Sequence, residues 1–250
     1  MLMLLFSRKW TIPTIVVITA MAVMIRLGIW QLDRLEQRRA FNSHYLEQVD
    51  AEPFNLNLNP TDPNLIEFEY RQVIVTGQYD HNHEVAIRNQ SWGNQIGVHL
   101  LTPLKIEGGD EFAVLVDRGW IPLETYQTGN WEEFSEPGIV SVSGIIRLSQ
   151  KPSFGGRPDP TPLPGESLKA WNFINIPEIS KQMPYLLLPI YIQQSPGSSW
   201  TVLPYRTQPE IEITEGPHLS YAIQWFIFAS ILGIGYPFFV RKESTKKKNT

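Results

Sequence analysis

Two long apolar stretches, one near each end of the 250-residue chain, limit most strongly what the chain can fold into. Residues 10–25 contain no charged side chain, and after Arg26 the apolar character resumes as far as residue 32. Residues 218–240 contain no Lys, Arg, Asp or Glu. About 20 residues, at ~1.5 Å rise each, span a hydrocarbon core ~30 Å thick. We therefore predict transmembrane helices at 10–32 and 218–240.

The first stretch has a second interpretation, a cleaved signal peptide. Arg8 and Lys9 would form its basic region, and residues 20–22 (Ala-Met-Ala) its cleavage site. The apolar run continues past that site to Ile25, which favours a retained membrane anchor.

Charge is distributed unevenly along the chain. Residues 33–217 contain 13 Lys/Arg and 24 Asp/Glu, a net charge of −11, whereas the two ends contain 8 and 1, a net charge of +7. This acidic middle argues against nucleic-acid binding, which needs a basic surface. Five of the basic residues follow residue 240, and such residues accumulate on the cytoplasmic side of membranes.

Two spans place both termini on the same side of the membrane, so the charges after the second span decide the topology. We expect cytoplasmic termini, a basic cytoplasmic tail at 241–250 and an extracytoplasmic domain at 33–217. No Arg- and Ser-rich transit peptide precedes the first span, which favours a bacterial plasma membrane.

The domain between the spans, with a core at about 65–208, has the pattern of short β-strands. A polar helical stalk at 35–46 leads into it. The strands are expected at 70–76, 84–89, 98–103, 112–117, 139–148, 171–176 and 189–194. Their spacing is typical of an antiparallel barrel or sandwich. The fold class predicted is thus a membrane protein with two helices flanking a β-rich external domain.

Finer features of this domain are also predicted. A short helix is expected at 177–183, and residues 152–165, with five prolines, should form an extended loop. The segments 73–77 and 140–144 resemble each other and end in glycine, which predicts bends at matching strand positions. Because the chain has no cysteine, the domain must fold without disulfides or Cys-bound metal.

No nucleophile elbow, phosphate loop, dinucleotide fingerprint or metalloprotease motif is present, so we do not expect an enzyme. His81 and His83 alternate in the sequence, and in an extended strand their side chains would face the same way and could hold a metal. The alternative is a polar connection between two strands, which needs no metal.

A second constellation opens the second span. His218, Tyr221, Ala222 and Trp225 follow the i, i+3, i+4, i+7 spacing of one helical face. A neutral imidazole is a good ligand for haem iron, and alanine would leave room for a flat macrocycle. Arg26 and Arg34, at the outer end of the first span, would suit haem propionates, because guanidinium groups bind carboxylates well. The alternative is an ordinary interfacial belt with snorkelling arginines.

Four blocks of sequence resemble the Surfeit-locus-one family, whose members are assembly factors of cytochrome c oxidase. Each block is short, but together they occur in the family's order and cover nearly the whole chain. The blocks are Leu27-Gly28-Ile29-Trp30-Gln31 with Arg34; Gly97 with Thr102-Pro103-Leu104; Val116-Asp117-Arg118-Gly119-Trp120-Ile121-Pro122; and His218-Leu219-Ser220-Tyr221-Ala222-Ile223-Gln224-Trp225-Phe226.

This resemblance implies an assembly factor that binds haem a and assists its insertion into the oxidase's largest subunit. It implies His218 as the iron ligand, with Tyr221 and Trp225 lining the macrocycle, and contacts with membrane lipids and possibly haem a synthase. The chain departs from the family pattern at Gly216-Pro217, where an asparagine is expected before the histidine.

Two other functions are compatible with the sequence. The protein could be a cofactor-free scaffold, with Arg118 and Trp120 docking oxidase subunits; alternatively, Arg118 pairs with an acidic neighbour and Trp120 is structural. A membrane-anchored sensor or hydrolase is the third possibility. The absence of catalytic motifs and of a cytoplasmic signalling domain counts against it.

Overall fold

A computed structural model describes residues 5, 7–109, 111–129, 131–151, 159, 167–197, 201–207 and 210–246. The chain divides into two compact units, one formed by Met1–His44 with Glu212–Thr250 and the other by Tyr45–Ile211. We call the first the helix pair and the second the barrel domain.

The described elements, in chain order, are α1 (Thr11–Asp50), β1 (Phe54–Asn55), β2 (Gln72–Tyr79), β3 (Val85–Trp92), β4 (Gln95–Ile106), β5 (Phe112–Pro122), α2 (Leu123–Thr128), β6 (Ile139–Leu148), β7 (Ala170–Trp171), α3 (Ile176–Ser180), β8 (Leu186–Gln194) and α4 (His218–Lys246). Short 3-10 turns lie at His81–His83 and Trp131–Phe134. The two long helices, α1 and α4, are long and apolar enough to cross a membrane.

The two helices of the helix pair run antiparallel. Trp10 packs edge-on against Phe239 at 5.9 Å between ring centroids, and toward the other end Gly28 lies under Phe226. The less exposed positions of each helix recur at three- and four-residue steps. In α1 they include 14, 17, 21, 24, 28, 31 and 35, with 20 and 27 beside them, and in α4 they include 218, 222, 225, 229, 232, 236 and 240, with 226, 233 and 237 beside them. Such a 3.5-residue period is that of a coiled-coil seam, which buries one stripe and leaves the other apolar faces outward.

The barrel domain is a closed sheet, so of the barrel and sandwich predicted from the sequence the barrel is confirmed. The strand order is β1-β2-β6-β8-β5-β4-β3-β7, and an additional pairing of β2 with β4 closes a ring of five strands. Pairing in the ring is antiparallel except between β5 and β8. The barrel interior is filled by Val, Leu and Ile side chains from the ring strands, such as Val75, Val116 and Ile192.

The two glycines of the similar segments lie where strands change neighbours. Gly77 pairs with both β6 and β4, and Gly144 pairs with β2 and begins the pairing with β8. A β-carbon would lie 2.2 Å from the Lys105 carbonyl oxygen at Gly77, and 2.4 Å from that of Gln193 at Gly144. Only glycine permits this close approach of backbones, and it is what lets the sheet curve closed.

Most predicted strands are present, usually longer than predicted, and β6 has the predicted bounds. The strand predicted at 171–176 is wrong beyond Trp171, because the chain turns there and α3 begins at Ile176. The β-branched residues that suggested a strand, Ile174 and Ile176, are buried with Ile179 against the outside of the barrel. The loop predicted at 152–165 lies outside the described residues.

Candidate functional site

The sequence-predicted ligand His218 is the first residue of α4, and its ring is half-buried. The carbonyl of Pro217 accepts hydrogen bonds from the Tyr221 amide, at 3.1 Å, and from the Ser220 hydroxyl, at 2.8 Å. These bonds begin the helix immediately after the proline. Gly216 has φ +65°, a left-handed conformation that favours glycine. Gly216 and Pro217 thus form a sharp turn that places His218 at the start of α4.

The segment leading to this turn is held by side chains of α1. The Arg38 guanidinium donates to the carbonyls of Thr214, at 2.9 Å, and Glu212, at 2.6 Å. Arg39 makes a bidentate pair with the Glu215 carboxylate at 2.7 and 2.9 Å. Planar, two-point contacts of this kind fix orientation as well as distance. The approach of the chain to His218 is therefore set by α1.

Within the helix pair, His218 contacts the other helix directly. Its Nδ1 atom lies 2.8 Å from Oε1 of Gln31. Gly28 lies one turn of α1 before Gln31. Phe226 packs on it so closely that a β-carbon at Gly28 would lie 2.7 Å from the Phe226 ring. Two sequence blocks almost 200 residues apart, residues 27–31 and 218–226, thus meet at the same end of the seam.

The contact with Gln31 determines which ring nitrogen of His218 is available. The Gln31 amide oxygen can only accept a hydrogen bond, so Nδ1 carries the proton and donates it. In neutral imidazole the other nitrogen, Nε2, then has its lone pair free. No hydrogen-bond partner of Nε2 is found in the described part of the chain. Metal-bound histidines have this arrangement, so His218 is suited to hold a haem iron through Nε2.

The other residues predicted around the haem are more scattered. Tyr221 is 46% exposed, and Trp225 is half-buried in edge-on contact with Phe228. Ala222 is only 1% exposed, because it packs in the seam, so it does not offer the open surface expected for a macrocycle.

The two predicted propionate ligands are both exposed on α1. Arg34 lies over the Trp30 ring, 5.7 Å from its centroid, and donates to Gln37 at 3.0 Å. Arg26 makes no hydrogen bond or ion pair with the described residues. The structure therefore brings Gln31, and neither arginine, into contact with His218.

Arg118, predicted to dock a partner or to pair with an acid, is buried and paired. Leu100 is paired with Gly119 and Leu101 with Asp117, so Arg118 is the extra residue of a β-bulge. The bulge turns its guanidinium inward, where it lies 3.2 Å from Glu84 and 2.9 Å from Glu136. The side chain is 1% exposed and so presents no surface to a partner in this structure.

Further polar groups complete a buried cluster around Arg118. Thr102 donates to Glu84, Arg206 lies 3.4 Å from Glu136, and the Tyr79 ring lies 4.9 Å from the guanidinium carbon of Arg118. Burial is the main reason that the pKa of Tyr79 is raised. Two arginines and two glutamates cancel each other's charge. No local sequence pattern indicated these partners, which come from four separate segments.

Trp120, the other predicted docking residue, is fully buried. Its ring stacks on Tyr205 at 6.0 Å and lies beside Trp92. A β-carbon at Gly97 would lie 2.5 Å from the indole, so that glycine makes room for the ring. The contacts are those of a structural residue, as the alternative interpretation proposed.

His81 and His83 lie in a 3-10 turn and not in an extended strand, so they do not share a face. His81 lies 3.5 Å from Glu84, whereas His83 donates from Nδ1 to the Asp80 carboxylate at 3.0 Å. Among the described residues no group of three or more metal-binding side chains occurs. The polar-connection interpretation describes this turn better than the metal site does.

The carboxylate that faces His83 is strongly hydrogen-bonded. Burial alone would raise the pKa of Asp80, but hydrogen bonds from Lys105, His83 and Tyr185 outweigh it, and the pKa is lowered. Burial and the neighbouring Asp80 charge raise the pKa of Tyr185. The Asp80 carboxylate is therefore an anion held in place by these three hydrogen-bond donors.

The sequence analysis missed a histidine–aspartate pair on the outside of the barrel. His99 Nδ1 lies 2.9 Å from each carboxylate oxygen of Asp117. Burial lowers the pKa of His99, but the charge and the hydrogen bond of Asp117 outweigh this, so the pKa is raised. The two residues are 18 positions apart on neighbouring strands, and strand register was the only available signal.

Comparison with known proteins gives a consistent result. A sequence model of the SURF1 family matches residues 18–230. A SURF1-like protein of Caenorhabditis elegans is 24% identical over 243 residues, which cover 88% of this chain and 71% of its own. For Surfeit locus protein 1 of Arabidopsis thaliana the identity is 23% over 257 residues, with coverages of 82% and 71%. For a SURF1-like protein of Rickettsia felis it is 26% over 243 residues, with coverages of 91% and 96%. Because the matched region runs from α1 through the whole barrel domain to the His218 end of α4, the chain belongs to the SURF1 family.

Proposed function

We propose that this protein is an assembly factor for cytochrome c oxidase that binds haem a at His218 and assists its insertion into the oxidase's largest subunit. The observation that carries the proposal is the His218–Gln31 contact at 2.8 Å, which leaves Nε2 of the ring available to an iron. This contact lies where the first and the last of the four family-like sequence blocks meet. The names of the family and its relatives denote no enzymatic activity, in keeping with a non-catalytic role.

In this proposal haem a is a cargo that must be bound and then released. A single histidine ligand at the edge of the helix pair suits such transient binding, because an unreleasable haem could not be delivered. Tyr221 and Trp225 would contact the macrocycle, and Arg26 or Arg34 would pair with propionates. Either arginine alone contributes less than His218, since an exposed ion pair is well solvated.

The proposed location is a bacterial plasma membrane, with both termini in the cytoplasm and the barrel domain outside. The five basic residues that follow residue 240 support this orientation. The proposed partners are the largest oxidase subunit, possibly haem a synthase, and the surrounding lipids. Topology reporters fused at residue 130 and at the C-terminus should give opposite signals, and an extracytoplasmic C-terminus would refute the orientation.

Haem binding is tested by the absorption spectrum of the protein purified from cells that make haem a. The wild-type protein should show a Soret band, and His218→Ala should lose it at an unchanged protein level, because the iron ligand is gone. His83→Ala is the matched control, since His83 lies in the barrel domain beside Asp80, and it should keep the band. A full haem complement in His218→Ala would refute the proposal.

A cofactor-free scaffold is the second candidate function, and one observation favours it. Phe226 packs on Gly28 and Ala222 is buried, so the described helices are in close contact at this level of the seam. If the wild-type protein shows no Soret band yet the oxidase fails to assemble without it, the scaffold function is the correct one.

A further inference from the structure

We infer that Gln31 is a positioning residue that holds His218 in the tautomer needed for iron binding. The inference rests on the proposed haem site, but it concerns a contact between two of the chain's own side chains. Gln31 is on α1 and His218 on α4, 187 residues apart, and the distance from Oε1 to Nδ1 is 2.8 Å.

The chemistry of the two groups gives this contact its direction. A glutamine amide oxygen accepts and never donates, so the proton of the neutral ring is held on Nδ1. Without an acceptor at that place, the proton distributes between both ring nitrogens, and an Nε2 that carries it cannot bind a metal. Gln31 therefore increases the fraction of His218 that presents a free lone pair on Nε2.

The surrounding contacts fix the glutamine as well as the histidine. Phe226 packs on Gly28, three residues before Gln31, and this holds the two helices in register at this level. On the other side, Arg39 and Glu215 fix the chain that enters α4. The two backbones are consequently anchored on either side, and one polar contact, from Nδ1 of His218 to Oε1 of Gln31, joins the two side chains.

Two substitutions separate positioning from packing. Gln31→Leu has a similar size but no acceptor, whereas Gln31→Glu keeps an oxygen acceptor facing Nδ1. Gln224→Leu is the matched control, because Gln224 is exposed on α4 and makes no contact with His218. Loss of a group that orients a metal-bound histidine typically weakens metal binding about 10–100-fold. We expect a loss of that order in haem affinity for Gln31→Leu and no loss for Gln31→Glu or Gln224→Leu.

The tautomer itself is measured by nitrogen NMR of the full-length, histidine-labelled protein in detergent without haem. The His218 signal is assigned as the one that is missing from the spectrum of His218→Ala. Wild type and Gln224→Leu should show the proton on Nδ1, and Gln31→Leu should show a mixture. In the haem-loaded protein, Gln31→Glu should lower the midpoint potential, because an anionic acceptor makes the imidazole a stronger electron donor. A role in packing alone would not move that potential.

The outcomes distinguish this inference from the proposed function. If His218→Ala loses haem but Gln31→Leu keeps both its affinity and the Nδ1 tautomer, the positioning role is refuted and haem binding stands. If His218→Ala keeps its haem, the proposed function fails, and the NMR spectrum of Gln31→Leu still decides whether Gln31 sets the tautomer. A Gln31→Glu protein that loses haem as fully as Gln31→Leu would also refute the inference.

Discussion

Between α1 and α4 the described polar contacts join single groups, whereas in the barrel domain four charged side chains, those of Arg118, Arg206, Glu84 and Glu136, share one cluster. Thr14 and Tyr236 contact each other at 2.9 Å near one end of the seam, and Gln31 and His218 do so near the other. In the barrel domain, Arg118 has carboxylates at two of its nitrogens.

This difference indicates where to look for function. A buried charge is stable only when it is neutralised, and two carboxylates neutralise Arg118, although its Nε atom has no hydrogen-bond partner among the described residues. His218 in contrast uses one ring nitrogen for the helix contact, and its other ring nitrogen has no partner among the described residues. The charged groups of the barrel domain thus neutralise each other within the fold, whereas His218 keeps one nitrogen unused.

The largest expected effect comes from breaking the buried cluster. Arg118→Met leaves Glu84 as an unpaired buried charge, and losing one member of such a pair typically costs about 3–5 kcal/mol of unfolding free energy. Urea unfolding of the purified protein, followed by tryptophan fluorescence, measures it. Arg88→Met is the control, because Arg88 is exposed on β3. Adding Glu84→Gln to Arg118→Met should recover part of the loss, and an unaffected single variant would show that the cluster is not structural.

An intermediate effect is expected in the seam of the helix pair. A β-carbon added at Gly28 would lie 2.7 Å from the Phe226 ring. Overpacking of this kind typically costs about 1–3 kcal/mol of unfolding free energy. Gly28→Leu should lower the thermal midpoint in detergent, measured by circular dichroism. The matched control is Gly235→Leu, since nothing lies within 4 Å of a β-carbon at Gly235. Equal midpoints for the two variants would contradict the packing described for the seam.

The smallest effect is a pH dependence of the barrel domain. Asp117 raises the pKa of His99 in the folded protein above the unfolded pKa of about 6.5. The stabilisation that the pair gives is therefore fully present below the unfolded pKa, and it is lost as the pH rises through the pKa of His99 in the folded protein. The urea midpoint of wild type should therefore exceed that of His99→Gln most at pH 6 and by less at pH 8.5. A difference that grows with pH would have the wrong sign and would refute the pairing.

Sequence reasoning succeeded where a signal is local. The two long helices follow from uncharged runs of sufficient length, and the strand at Ile139–Leu148 from alternation. His218 was singled out because it begins such a run, and its role as an iron ligand stays a prediction. Sequence reasoning failed where neighbours in space are distant in sequence: the Gln31 contact, the His99–Asp117 pair and the carboxylates of Arg118 all depend on register or helix packing. The bulge at Arg118 shifts the inside–outside alternation by one residue, which periodicity alone cannot anticipate.

The strand predicted at 171–176 shows a different cause of error. Residues such as Ile174 and Ile176 are hydrophobic because they cover the outside of a barrel, and a buried irregular segment has the same composition as a buried strand. The length of an apolar stretch distinguishes a strand from other buried structure only when the stretch is long. The stretch predicted here has six residues, which is too short for that distinction.

The antiparallel pairing of the first and last helices has a consequence for the order of synthesis. Gln31 is translated before His218, and the whole barrel domain lies between them in the chain, so the pair can form only after that domain has been translated. A premature stop between the two residues therefore leaves Gln31 without its partner on α4. The Gln31–His218 contact thus depends on a chain whose synthesis has reached α4.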